Sequence, residues 1–147
     1  MAQVAMQFIK AIPHSVALGM ELEEIGSGVA QISMPYDPRF IGDPRTGVIS
    51  GGAVSALMDT CCGAAVISHE SAPFPTATID LRIDYMRAAT PGQRITTRAT
   101  CYHVTRSVAF VRAVAFDDDD TNPVATATGA FTTGTGPAPL PSTEART

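Results

Sequence analysis

A single carboxylate, Asp59, is the only charged side chain between Gly51 and Ser68. Around it, Val54, Leu57, Met58, Cys61, Ala65 and Val66 recur at helical intervals, and most of the other positions are small. The segment Gly51–His69 therefore predicts a helix that is apolar nearly all round, and such a helix is buried. A lone carboxylate on it is costly unless it is paired or faces a wet cavity. In a cavity it can take a proton from water, or attack an electrophilic carbon directly. The helix opens on Gly51-Gly52. The first amides of a helix lack internal partners and carry partial positive charge. Two residues without side chains allow close approach, so this end is a candidate cradle for an oxygen that becomes negative. The same glycines also suit plain tight packing, and Asp59 also suits a surface position; spacing alone leaves both open.

The flanking segments supply what must position these groups. Val4, Phe8, Ile9 and Ile12 predict a short N-terminal helix ended by Pro13. Ala17–Ile25 and Val29–Met34 read as two strands around Gly26-Ser27-Gly28. Tyr36–Ser50, with two prolines and two glycines, reads as a long loop of the kind that is often functional. From Thr76 the period changes to two. Thr76–Arg87 puts Ile79, Leu81, Ile83 and Tyr85 on one face and Thr78, Asp80, Arg82 and Asp84 on the other. Pro91-Gly92 marks a turn, and Arg94–Val104, Val108–Phe116 and Val124–Thr132 follow as strands. Short connections favour antiparallel pairing. The expectation is an α+β fold with an antiparallel sheet wrapped around one long central helix, in three parts: an N-terminal helix (1–15), a domain (16–134) and a disordered tail (135–147) of Pro, Thr, Gly and Ala.

Composition narrows the class. At 45% apolar and 16% charged residues the chain is globular. No stretch approaches the ~20 apolar residues of a membrane span, and the N-terminus lacks a secretory pattern, so a cytoplasmic protein with no membrane partner is expected. A net charge of −4 argues against nucleic acid. Cys61, Cys62 and Cys101 have no zinc-site spacing and read as small buried apolar groups; no metal is expected. Asp117–Asp120 lacks the spaced ligands of a calcium loop and reads as a solvated hairpin tip. His14, His69 and His103 are scattered, and Ser50-Gly51-Gly52 is not a nucleophile elbow.

Gly47-Val-Ile-Ser-Gly-Gly-Ala-Val-Ser-Ala-Leu-Met-Asp59, followed by Ile83-Asp-Tyr-Met-Arg87 and Pro91-Gly92, resembles the phenylacetate-degradation-type thioesterases, a family of hotdog-fold acyl-CoA thioesterases. Their helix-start motif reads Gly-x-x-His-Gly-Gly with an Asp further along the helix; Gly51, Gly52 and Asp59 match. Ser50 stands at the histidine position, and Pro44 stands where some members carry asparagine. The resemblance implies hydrolysis of an acyl-CoA thioester, with Asp59 as general base or nucleophile and the helix-start amides as oxyanion hole. It also implies a catalytic role for Thr78 in placing water, and substrate binding by Ser50, Arg87, Arg106 and Ser107, the last three at the nucleotide. No cofactor is implied, since coenzyme A arrives as part of the substrate. A homodimer, often doubled to a tetramer, is implied, with Asp59 facing the partner chain. The alternative is a non-catalytic acyl-CoA or small-ligand binding protein, motivated by Ser50. A third reading, a hydratase or dehydratase, suffers from the lack of a histidine on the helix.

Overall fold

The computed structural model describes residues 2–72 and 75–134. The expected tail, 135–147, lies outside the described residues. Element order is α1 (Ala2–Ala11), α2 (Pro13–Ala17), β1 (Glu21–Gly26), β2 (Val29–Met34), a 3-10 turn (Pro38–Phe40), β3 (Ile41–Asp43), β4 (Val48–Ile49), α3 (Gly51–Ile67), β5 (Thr78–Tyr85), β6 (Ile95–Val104), β7 (Val108–Phe116) and β8 (Ala125–Thr132). Six strands form one antiparallel sheet in the order β1-β2-β6-β7-β8-β5. β3 and β4 form a separate small hairpin.

The sheet wraps α3 because all but one ridge of α3 is apolar or small and would not tolerate water. Val54, Leu57, Met58, Cys61, Cys62 and the run Gly63–Val66 are buried. They pack against Ala30, Ile32 and Met34 of β2, Ile95 and Ala99 of β6, Ala109, Val111 and Ala113 of β7, and Phe131 of β8. Leu57 and Met58 are wholly inaccessible, and burial of each such side chain contributes about 1.5–3 kcal/mol. The far end of α3 is tied down by Ser68, whose Oγ donates to the Ala65 carbonyl at 2.9 Å and accepts from the Gly28 amide at 3.0 Å.

Three sequence expectations shift. α1 ends ahead of Pro13, as expected, but Pro13 then opens a second short helix, α2. Proline at a first helical position loses no hydrogen bond, so the chain restarts a helix, crosses the expected boundary at residue 15, and β1 begins only at Glu21. Tyr36–Ser50 is not a plain loop. Asp37 caps the 3-10 turn by accepting from the Arg39 amide, the β3–β4 hairpin follows, and the Ser50 amide donates to the Phe40 carbonyl at 2.8 Å. A Cβ on Gly42 would lie 2.9 Å from the Ser50 Cα, so this segment lies tightly along the start of α3 and fixes it.

The third shift concerns β5. Strict alternation would put Thr78 opposite Leu81, Ile83 and Tyr85. The register instead runs Thr78↔Phe131 and then Asp80↔Ala130, a β-bulge at Ile79. One extra residue reverses the side-chain alternation across it. Thr78 thereby joins the helix-facing side, and Ile79 is left 54% exposed. The bulge is braced locally, since Asp80 Oδ1 accepts from the Ala130 amide at 3.1 Å. Gly129 permits it: a Cβ there would come within 2.5 Å of the Asp80 carbonyl oxygen and 2.9 Å of Leu81 Cδ1. Gly129→Ala is expected to cost about 1–3 kcal/mol by forcing β5 outward. Urea denaturation measures it, and a variant as stable as the parent would contradict the close approach.

Candidate active site

Gly51, Ser55 and Asp59 are spaced four apart and form one ridge of α3, and this ridge faces β5. At its far end Thr78 Oγ1 donates to Asp59 Oδ1 at 2.7 Å. Asp59 is half-buried and Thr78 exposed, so the carboxylate lies at the lip of the helix–strand seam, with its second oxygen free of any hydrogen bond among the described residues. The structure thus joins two residues that the sequence placed separately, through a bulge that no alternation pattern shows.

At the other end, Tyr85 Oη donates to the Gly51 carbonyl at 2.7 Å. Ser55 Oγ bonds to that carbonyl at 3.1 Å and to the Tyr85 hydroxyl. Sequence reasoning named neither Tyr85 nor Ser55 as a site residue. The available signal was a small hydroxyl placed one turn from both Gly51 and Asp59. Ser50 is the N-cap of α3: its Oγ accepts from the Gly52 amide at 3.2 Å. The Gly52 amide, expected in the oxyanion hole, is therefore engaged inside the chain. Ser50, expected to touch substrate, caps the helix. The Gly51 amide has no hydrogen-bond acceptor among the described residues. It sits between two fixed points, the capped Ser50 and the Gly51 carbonyl held by Tyr85, which is the preorganisation an oxyanion donor needs.

Arg87 departs from expectation. Its Nε, Nη1 and Nη2 donate to both Asp117 carboxylate oxygens (2.7 and 2.8 Å) and to the carbonyls of Asn122 and Ala88. A guanidinium has five N–H donors, and all five are engaged, so Arg87 offers none to a phosphate. Asp117 is correspondingly not part of a solvated tip. It is buried and also accepts from the Thr90 amide, the Thr90 hydroxyl and the Asp119 amide; only Asp118–Asp120 are exposed. Arg106 and Ser107 are exposed in the β6–β7 turn, where their carbonyls accept from Thr133. That turn lies beside the Thr78 end of β5, whereas Arg87 follows its Tyr85 end, about 25 Å along the strand. The three expected nucleotide contacts are not gathered within one chain.

All three cysteines are buried and free. Cys61 Sγ points at the Thr97 and Ala30 carbonyls (3.2 and 3.4 Å), and burial pushes its thiol up to about 12. A protonated, inaccessible thiol is no nucleophile.

A six-stranded antiparallel sheet folded around one long helix, with an acid at the seam between them, defines a hotdog-fold protein. Residues 46–124 match the thioesterase superfamily model, and the chain belongs to that superfamily; its chemistry is that of a thioester hydrolase. It is 28% identical over 144 residues to the medium/long-chain acyl-CoA thioesterase YigI of Escherichia coli K12, covering 89% of this chain and 92% of that protein. A Pseudomonas aeruginosa protein of solved structure is 38% identical with a TM-score of 0.79, covering 88% of this chain and 96% of that one. The PaaI protein from the phenylacetic acid degradation operon of E. coli shares the fold at a TM-score of 0.81 and 19% identity, covering 91% and 93%.

The Arg87–Asp117 pair anchors the segment after β5 and carries a pH signature. The guanidinium and three further donors hold the Asp117 carboxyl well below the usual carboxylate range. A depressed folded pKa stabilises the fold above the unfolded value near 4 and loses that contribution as pH falls. Asp117→Asn is expected to cost about 2–4 kcal/mol at pH 7, since it leaves Arg87 without its counter-charge. The gap between parent and variant should stay constant down to about pH 5 and shrink below about pH 4. Urea midpoints across that range test this; a gap that grows on acidification would refute it.

Proposed function

We propose that the protein hydrolyses acyl-CoA thioesters to free acid and coenzyme A, in sites shared between two copies of the chain. The observation that carries this reading is the pairing of Asp59 with Thr78 at an open sheet edge, on the same helix as an unpaired Gly51 amide. Thr78 donates to one oxygen of Asp59; its own lone pairs and the second carboxylate oxygen can hold a water between them. Asp59 as general base takes a proton from that water as its oxygen adds to the thioester carbonyl. The carbonyl oxygen becomes negative and is held by a Gly51 N–H. Collapse breaks the C–S bond, and the proton on Asp59 passes to the departing thiolate.

One copy does not bring these groups to one carbonyl. Gly51 and Asp59 are eight steps apart along the helix, about 12 Å of rise, and the Ser55–Tyr85 pair stands between them on the same ridge. The surface around β5 suggests the solution. Of the two sheet edges, β1 is bulged and packed by α1. β5 is open and flanked by Ile79, Tyr85 and Met86, each at least 50% exposed. An open, half-apolar edge strand is a template for pairing. Two β5 strands joined antiparallel would set Asp59 of each copy toward Gly51 of the other. We therefore propose a homodimer, with a tetramer as its further association. Arg106 and Ser107 are the proposed contacts for the coenzyme A nucleotide, Arg106 being exposed where Arg87 is not available. A cytoplasmic location belongs to the same reading and rests on the sequence.

Release of free thiol from acyl-CoA is the direct assay. Asp59→Asn is expected to lower kcat about 10²–10⁴-fold with little change in thermal stability. Full activity in that variant would remove Asp59 from the mechanism. Thermal stabilisation of the parent by acyl-CoA without any thiol release would favour the binding-only alternative that Ser50 raised.

A further inference from the structure

A cavity of about 300 Å³ opens beside the start of α3, walled by Val48, Ile49, Val54, Met86, Ala89 and Val124. Gly51 and Tyr85 also line it, so the unpaired Gly51 amide adjoins an apolar space. Its volume lies at the lower end of small-molecule sites.

The cavity has almost nothing to offer a polar ligand. Among the described residues Arg87 is the only charged side chain lining it, and its five donors are engaged by Asp117, Asn122 and Ala88. The Tyr85 hydroxyl is turned to the Gly51 carbonyl and Ser55. The amides of a pantetheine arm, or any phosphate, would lose water here without gaining partners, and buried polar groups left unpaired are costly. A hydrocarbon loses nothing. A thioester whose carbonyl oxygen sits on the Gly51 amide has two arms, and only the acyl arm suits these walls.

We infer that this cavity seats the acyl chain, which makes the preferred substrates thioesters of unsubstituted hydrocarbon acids and makes Met86 and Ala88 determinants of chain length. Ala88 is exposed and lines the cavity, so it borders the mouth; Met86, 57% exposed in one copy, forms a flexible wall beside the edge proposed for pairing. The inference rests on the thioesterase reading.

The test is kcat/KM for acetyl-, butyryl-, hexanoyl-, octanoyl-, decanoyl- and dodecanoyl-CoA in the parent, Ala88→Phe and Met86→Ala, beside Asp59→Asn. In the parent, kcat/KM should climb about fourfold per buried methylene until the cavity is full. Ala88→Phe, which narrows the mouth from an exposed position, should lower the octanoyl-to-butyryl ratio at least tenfold. Met86→Ala should move the maximum to a longer chain. Urea midpoints near the parent's show that both variants are folded, and their independent changes keep the test open if one is not. An unaltered chain-length profile in both variants, with Asp59→Asn still inactive, overturns the cavity assignment alone. A parent that hydrolyses none of the series overturns the thioesterase reading and the cavity assignment together.

Discussion

The burial of α3 is the constraint from which the rest follows. A helix with Leu57, Met58, Cys61 and Cys62 at zero exposure can exist only inside a wrap, and a six-stranded sheet supplies it on every side but one. The remaining ridge, Gly51–Ser55–Asp59, meets β5. There the only carboxylate of the helix escapes the cost of an unpaired buried charge by taking one hydrogen bond from Thr78 and keeping one oxygen toward the open edge. Asp59 thus lies where the wrap ends, beside the edge strand β5.

Each part of the wrap near that ridge does double duty. The β3–β4 hairpin and Gly42 hold Ser50; Ser50 caps Gly52; Tyr85 and Ser55 hold the Gly51 carbonyl. What is left over is the Gly51 amide, fixed on both sides and without an acceptor among the described residues. The Arg87–Asp117 pair fixes the chain just past Tyr85, and so keeps the apolar cavity walls against the helix start. Arg87, which looks available for substrate in the sequence, is used to hold the scaffold around that amide.

The helix, the strands β2, β6, β7 and β8, and the isolation of Asp59 were legible because each is a periodicity, and periodicity is set by burial. What was not legible depends on single exceptions to it. The bulge at Ile79 interrupts alternation by one residue, so Thr78 read as facing away from the side it joins. Pro13 carries the same residue type whether it ends a helix or begins one. The short β3–β4 hairpin lies among prolines and glycines and is held by contacts to Ser50 that are remote in sequence. Arg87 and Asp117 are thirty residues apart, and nothing in either segment announces the other. Ser50 read as a missing histidine, whereas its hydroxyl fills a capping role that the local backbone defines.

Gly51 of one copy and Asp59 of another are proposed to serve one thioester. Two inactive variants test it when mixed. Gly51→Pro removes the N–H, at a first helical position where proline is accommodated, with its Cβ at an ordinary 3.5 Å from the Tyr85 ring, after a Ser50 whose backbone (φ −53°, ψ 136°) already suits a following proline. Asp59→Asn removes only the base. In a mixed dimer one of the two shared sites is whole. Equal amounts refolded or expressed together should recover about a quarter of the parent activity, from half the dimers carrying one intact site each. If the mixture is no more active than either variant alone, the two groups do not meet across copies and the account fails.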